Sequence, residues 1–238
     1  IACHLYTHYG ITHARILTEL PTGSAKLVTI GTHPSEGYCW ANLGEPRPIS
    51  PKLARIPNTV SDGGMMHRID DLVIKFRKHD LAPISDKQSM RISGYLTFTG
   101  EPHLVVFPES GFSIKGLEET MFPAVTSFYH GTGSGETRRA LGSWLLNHIG
   151  IYINKNYADI FPAGISINVV NRNYITNVLE YRCFERGINV ETSACGTGAL
   201  AVSCVAKQLG LTRDGRITIL PIRCRWDEPE AQILVERE

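Results

Sequence analysis

Apolar positions in this chain recur mostly at the two-residue spacing of strands, and only a few stretches carry the three-to-four spacing of helices. Residues 1–10 read as the end of a helix stopped at Gly10. Two strands are expected over 14–30 around the turn signal Pro21-Thr22-Gly23-Ser24. A third spans about 36–43, and the proline-rich stretch Pro46 to Pro57 reads as a linker. Residues 58–92 are poorly patterned apart from a strand at Leu72 to Phe76. Further strands are expected at Leu104 to Phe107, 165–170, 176–184, 216–226 and 231–236. A helix is expected over 136–149, with Ala140, Leu141, Trp144, Leu145 and His148 on one side. A last helix follows Cys195, apolar at Ala199, Val202, Val205, Ala206 and Leu209, with Gly210 as its C-cap. Strands with a few interspersed helices predict an α+β fold.

That last helix begins in the run Glu191-Thr192-Ser193-Ala194-Cys195-Gly196-Thr197-Gly198-Ala199. Cys195 therefore faces a helix amino end, where unpaired N–H groups and the helix dipole favour negative charge. Such a place lowers a thiol's pKa and also binds a carboxylate. From the spacing alone a reactive thiolate and a buried structural cysteine stand level.

Composition narrows the classes. The chain has 238 residues, 42% hydrophobic and 20% charged, with a net charge of +1. It is long enough for one large domain or two small ones. Nothing points to nucleic acid or an anionic membrane surface, and no apolar run approaches the ~18 residues of a membrane span. Cys3, Cys39, Cys183, Cys195, Cys204 and Cys224 are scattered without CxxC pairs, which excludes a zinc framework. Reduced thiols in a cytoplasmic enzyme are expected. His4 and His8 share a helix face but have no evident third ligand, so no metal is expected. The run Gly131 to Gly135 lacks the strand and the Gly-Lys-Ser/Thr ending of a phosphate loop and reads as a flexible loop. With no initiator methionine or signal peptide, the chain reads as a fragment or a processed product.

Four segments, in order, resemble the carboxyl-terminal lobe of diaminopimelate epimerases and related cofactor-independent racemases. They are Gly100-Glu101-Pro102-His103, then Phe161-Pro162-Ala163-Gly164-Ile165-Ser166, then Glu185-Arg186-Gly187, then Ala194-Cys195-Gly196-Thr197-Gly198-Ala199. Trp40 to Pro46 resembles the strand ending that family's first lobe, and Ile1 to Tyr6 the helix following its first catalytic cysteine. The resemblance implies two pseudo-symmetric lobes, each a β-barrel-like sheet around a central helix, with residues 1–58 a partial first lobe and 59–238 the second. It implies an isomerase that inverts an amino-acid α-carbon by cysteine thiol/thiolate proton transfer, without pyridoxal phosphate or any other cofactor. A helix-end thiol suits that chemistry, being a base as thiolate and an acid as thiol.

By the same resemblance Cys195 is one acid/base residue, and His103 and Glu185 bind the substrate amine and assist proton transfer. Arg186, Glu101 and Ser166 occupy positions that hold the distal end of the substrate. The N–H groups of Gly196, Thr197 and Gly198 would stabilise charge on the substrate carboxylate. Read without the resemblance, His103 is a strand-end hydrogen-bonder and Glu185-Arg186 a surface ion pair. The implied partner is a small amino-acid substrate in lysine biosynthesis, and a homodimer is the commonest assembly in general.

The departures matter as much. The opposing cysteine belongs upstream of Ile1 and a returning strand after Glu238, while Cys3 matches a non-catalytic position. Glu101 and Ser166 each replace an asparagine, and the segment from Glu185 to Cys195 is one residue longer than usual. An acid at 101 would repel a carboxylate and attract a cation. Three readings follow: an epimerase of diaminopimelate; a racemase of lysine, ornithine, arginine or histidine; or an isomerase or inactive relative that works without the first cysteine.

Overall fold

The computed structural model describes residues 1–19, 25–56, 64–78, 80–81, 85–123, 134–173, 178–212 and 215–236. It is α+β, with two sheets. Helix α1 (Ala2–Tyr9) ends at Gly10, whose left-handed φ of 67° lets its N–H close onto Leu5 and Tyr6. Strands β1 (His13–Glu19), β2 (Ala25–His33) and β3 (Tyr38–Asn42) form a three-stranded antiparallel sheet beside it. The turn expected at Pro21 to Ser24 lies outside the described residues. Cys3 and Cys39 form a disulfide between α1 and β3, which corrects the expectation of reduced thiols throughout.

The larger sheet runs β11-β10-β8-β7-β6-β5-β4, with β9 paired to β8. Its strands are β4 (Met66–Lys75), β5 (Ser89–Phe98), β6 (Pro102–Val106), β7 (Ser166–Asn173), β8 (Val178–Glu185), β9 (Val190–Thr192), β10 (Arg216–Pro221) and β11 (Ile233–Glu236). The pairs β6/β7 and β8/β10 are parallel and the rest antiparallel. Each parallel pair needs a crossover. Short helices α2 (Pro108–Gly111) and α3 (Leu117–Met121) and the long α4 (Ser134–Asn156) lie between β6 and β7. Helix α5 (Gly196–Gln208) lies between β8 and β10.

The two long helices cover opposite faces. One core joins Ile92, Leu104, Ile167 and Phe184 to Leu146, Ile149 and Ile153 of α4. The other joins Val105, Val170, Tyr181 and Cys183 to Ala199, Val202, Val205 and Ala206 of α5. Strand β6 is buried at every position, as a central strand between two helical layers must be. Gly142 and Gly150 bring α4 down on β8: a Cβ at 150 would lie 2.3 Å from the Phe184 ring, and one at 142 would lie 2.2 Å from Arg182 Nη1.

Several boundaries move. Helix α4 is longer than expected and buries Leu145, Leu146, Ile149 and Ile153, a face rotated away from Ala140 and Leu141. The loop expected over Gly131 to Gly135 is outside the described residues up to 133, and α4 already begins at Ser134. Strand β4 starts at Met66, and β5 occupies a stretch that carried no clear pattern. Residues 222–226 are not strand; Cys224–Trp226 is a 3₁₀ turn. Helix α5 closes on Leu209, one residue before the expected glycine. Among the described residues no helix is long and apolar enough to cross a membrane.

Candidate active site

The sheet face under α5 gathers the polar residues. Period-two alternation puts His103 of β6, Asn168 of β7 and Tyr181, Cys183 and Glu185 of β8 on that face. Register aligns them: Val105 pairs with Asn168, and Asn168 with Cys183. Cys195 is the N-cap of α5, in extended conformation, and its sulfur accepts the Gly198 N–H at 3.4 Å. Gly198 has to be glycine in this arrangement. A Cβ there would meet Asn168 Oδ1 at 2.6 Å and the Cys195 sulfur at 3.4 Å.

Tyr181 clamps the backbone of Cys195. Its hydroxyl accepts the Cys195 N–H at 2.8 Å and donates to the Cys195 carbonyl at 3.0 Å. The Thr99 hydroxyl donates to the Thr197 carbonyl at 2.7 Å, tying the β5–β6 turn to the first turn of α5. Behind the thiol runs a polar chain. Asn168 Nδ2 lies 3.0 Å from His103 Nδ1, His103 Nε2 is 3.1 Å from Thr197 Oγ1, and that oxygen is 3.3 Å from Cys195 Sγ. With Asn168 donating, the ring carries its proton on Nε2 and gives it to Thr197, whose own hydroxyl then points at sulfur.

His103 is fully buried, and burial followed by the Arg186 charge lowers its pKa to about 3, so it is neutral. No ring surface is open toward the substrate amine that the resemblance implies as its partner. Both ring nitrogens are engaged and no surface is exposed.

Cys183 is the residue that sequence reasoning passed over. Its sulfur, the Cys195 sulfur and a Glu185 carboxylate oxygen all lie within 4.8 Å of one another. The thiol of Cys183 beside it, with the Thr197 hydroxyl and Gly198 N–H, holds the Cys195 pKa below its ordinary value against the effect of burial. The same contact, with burial second, pushes Cys183 upward. A signal was present: Tyr181 and Cys183 alternate within the strand expected over 176–184, and Glu185 follows at the same spacing just beyond it.

In the turn that follows Glu185, Gly187 (φ 83°) and Asn189 (φ 61°) are left-handed, and the Asn189 N–H returns to the Glu185 carbonyl at 2.8 Å. The Thr192 hydroxyl donates to Glu185 Oε1. Ser166, fully buried, holds the backbone N–H of Arg186 at 3.2 Å instead of facing the cleft. Glu101 Oε2 lies 3.3 Å from Arg186 Nε, and Arg186 Nη1 donates to the Ala163 carbonyl at 3.2 Å.

The small sheet reaches this region. A Cβ on Gly196 would sit 3.5 Å from Leu43, and one on Gly100 would sit 3.8 Å from Lys26 Nζ. Burial, then Arg47, lowers the Lys26 pKa, and its amine donates to the Leu43 carbonyl. A groove of about 270 Å³ lined by Tyr95, Phe107, Leu209 and Leu211 lies at the other end of α5, some 20 Å from Cys195 by helix rise.

No protein-family model matches the chain. It is similar to curated proteins named diaminopimelate epimerase. One from Methanothrix thermoacetophila is 46% identical over 55 residues, 23% of this chain and 19% of that protein. One from Methanocella arvoryzae is 48% identical over 54 residues, again 23% and 19%. A longer match, to the protein from Sphingopyxis alaskensis, is 25% identical over 206 residues, 82% of this chain and 64% of that one. The aligned segments thus span about a fifth of the first relatives' length and just under two thirds of the last.

Proposed function

We propose that this chain carries one acid/base half of a cofactor-independent amino-acid epimerase, with Cys195 as the thiol that exchanges the substrate's α-proton. The observation that carries the reading is the seat of Cys195: N-cap of α5, its sulfur receiving the Gly198 N–H and the Thr197 hydroxyl. A thiolate there is stabilised by the helix end. The names of the relatives support the same reaction class.

In this reading the N–H groups of Gly196 and Thr197 face the substrate carboxylate, where charge builds as the α-proton leaves. Glu185 receives the substrate amine, with Oε1 held by Thr192. His103 is a positioning residue that orients the Thr197 hydroxyl toward sulfur. Inversion needs a second acid/base group on the other face of the α-carbon. Cys183 cannot be that group: near-attack distances of about 3.5 Å on each side put two such atoms roughly 7 Å apart, whereas its sulfur is within 4.8 Å of Cys195. The opposing residue comes from outside the described site, as in a fold of two pseudo-symmetric lobes in which residues 1–58 are part of the first.

Diaminopimelate is the default substrate from the names of the relatives. The Glu101–Arg186 pair favours a second reading, in which the substrate has no distal carboxylate, because Arg186 already has one beside it. A cationic amino acid would then have to compete with Arg186 for Glu101. A cytoplasmic enzyme of amino-acid biosynthesis, acting as a homodimer, goes with either reading; the Cys3–Cys39 disulfide is the observation that weighs against the compartment.

The test is α-proton exchange in deuterated water with the intact gene product over diaminopimelate, lysine, ornithine, arginine and histidine. Exchange with one of them, reduced at least about 10²-fold by Cys195→Ala, is expected. Exchange unaffected by that substitution, or no exchange with any of them, would overturn the reading.

A further inference from the structure

We propose that Cys183, Glu185 and Cys195 form a binding site for a thiophilic divalent cation of the zinc class. Three donor atoms already converge, two sulfurs and a carboxylate oxygen, all within 4.8 Å of one another. A tetrahedral ion with metal–sulfur distances of about 2.3 Å and metal–oxygen distances of about 2.1 Å places such donors roughly 3.6–3.8 Å apart. Since no two of these donors are more than 4.8 Å apart, closing the triangle takes at most about 1 Å of side-chain movement, within reach of the two cysteine side chains and the long Glu185 side chain.

The surroundings suit an ion as well as the donors do. Thr192 donates to Glu185 Oε1 and leaves Oε2 for coordination. The Gly198 N–H and Thr197 hydroxyl hold the Cys195 sulfur from behind. Ligands fixed by such outer hydrogen bonds bind metals more tightly. Cys183 and Cys195 are buried and free of disulfides, and Glu185 is half-buried and opens one side to solvent. That leaves a fourth position for water. Two sulfur donors select zinc, cadmium or cobalt over magnesium or calcium. Among the described residues this is the one group of three such side chains.

The site stands on donor geometry and is independent of the epimerase reading. Each thiol that binds gives up its proton to solvent, so occupancy releases protons. If the epimerase reading holds, the ion takes the lone pair that Cys195 needs for the α-proton, and zinc is an inhibitor competing at that sulfur.

The probe is cobalt(II), added anaerobically to the full chain with its Cys3–Cys39 disulfide intact. One equivalent is expected to give sulfur-to-cobalt charge-transfer absorption with the visible bands of a tetrahedral complex. Cys183→Ser should weaken binding at least about tenfold and lower the charge-transfer intensity, with the circular dichroism unchanged. Binding without charge transfer, as at His4 and His8, would overturn the proposal, as would an undiminished signal in Cys183→Ser. Should that variant fail to fold, protection of the unaltered chain decides. Zinc, and not magnesium, is expected to slow alkylation of Cys195 at least about tenfold, reversibly with a chelator; equal rates with and without zinc would overturn it.

Discussion

Glu101 Oε2 stands 3.3 Å from Arg186 Nε, so two residues expected to act separately on a substrate's distal end neutralise each other. The loop Thr99–Glu101 and the start of the β8–β9 turn are brought together by the parallel pairing of β6 with β7, which sets His103 opposite Ser166. Ser166 in turn holds the Arg186 backbone. The acid at 101 therefore already has a cation beside it. If the proposed reaction holds, Glu101→Gln releases Arg186, and the ratio of kcat/KM for diaminopimelate to that for lysine should rise by about tenfold, the size of one modest charge interaction. An unchanged ratio would place the pair outside the substrate's reach.

The free thiols should separate by pH. Cys195 is buried, but hydrogen bonds led by that from Cys183 lower its pKa. Cys224 is more exposed, yet burial followed by Glu228 and Asp227 raises its pKa. At pH 6 alkylation should therefore favour Cys195 over Cys224, with the advantage shrinking as pH rises toward 9 and Cys224 ionises. Cys204, packed inside α5, should lag Cys195 by about 10²-fold or more throughout. Mass-spectrometric mapping of time-resolved labelling checks the order. Equal rates for Cys195 and Cys204 would make Cys195 merely structural.

His103 makes stability fall in acid. Its folded pKa of about 3 lies below the unfolded value of about 6.5, so between these limits the unfolded chain binds the extra proton. Stability rises with pH across that window and is lost as pH drops below about 6.5, at up to about 1.4 kcal/mol per pH unit from this one group. His103→Gln, which keeps a hydrogen-bonding side chain without the titration, should flatten the slope of denaturant-derived stability between pH 4 and 6. An unchanged slope would mean that His103 is not held neutral.

Much of this arrangement is legible in the sequence. The Cys195 turn and α5 follow from a glycine-rich start and helical apolar spacing, and α1, β1, β2 and β3 fall close to their expected places. Strand β5 was not legible because its exposed positions (Ser89, Arg91) and buried ones (Met90, Ile92) sit among turn-forming residues that blur the alternation. The buried face of α4 was misplaced because Gly142 and Gly150 mark it by what is absent, a Cβ that would strike Arg182 and Phe184. Cys183 was hidden for a topological reason: its neighbour Cys195 lies across the β8–β9 hairpin, and no spacing rule for metal or disulfide cysteines covers that separation.

The buried ion pair next to this hairpin sets the last expectation. Arg182 and Glu191 have side chains 0% and 2% exposed, and meet through two hydrogen bonds of 2.6 and 2.8 Å. Two further donors of Arg182 go to the Met121 carbonyl at 2.9 Å and to Ser143 Oγ at 2.8 Å, and Trp226 lies against the guanidinium. Such a pair adds little net stability relative to a well-packed apolar replacement, but removing one partner strands the other charge in the interior. Glu191→Ala should therefore cost about 3–5 kcal/mol. Replacing both residues, as Arg182→Met with Glu191→Leu, should cost clearly less than Glu191→Ala alone. Because β9 carries Glu191 into the turn that leads to Cys195, the single variant should also raise hydrogen exchange at 192–195 before global unfolding. Equal losses for the single and double variants would mean that the network, and not the stranded charge, carries the energy.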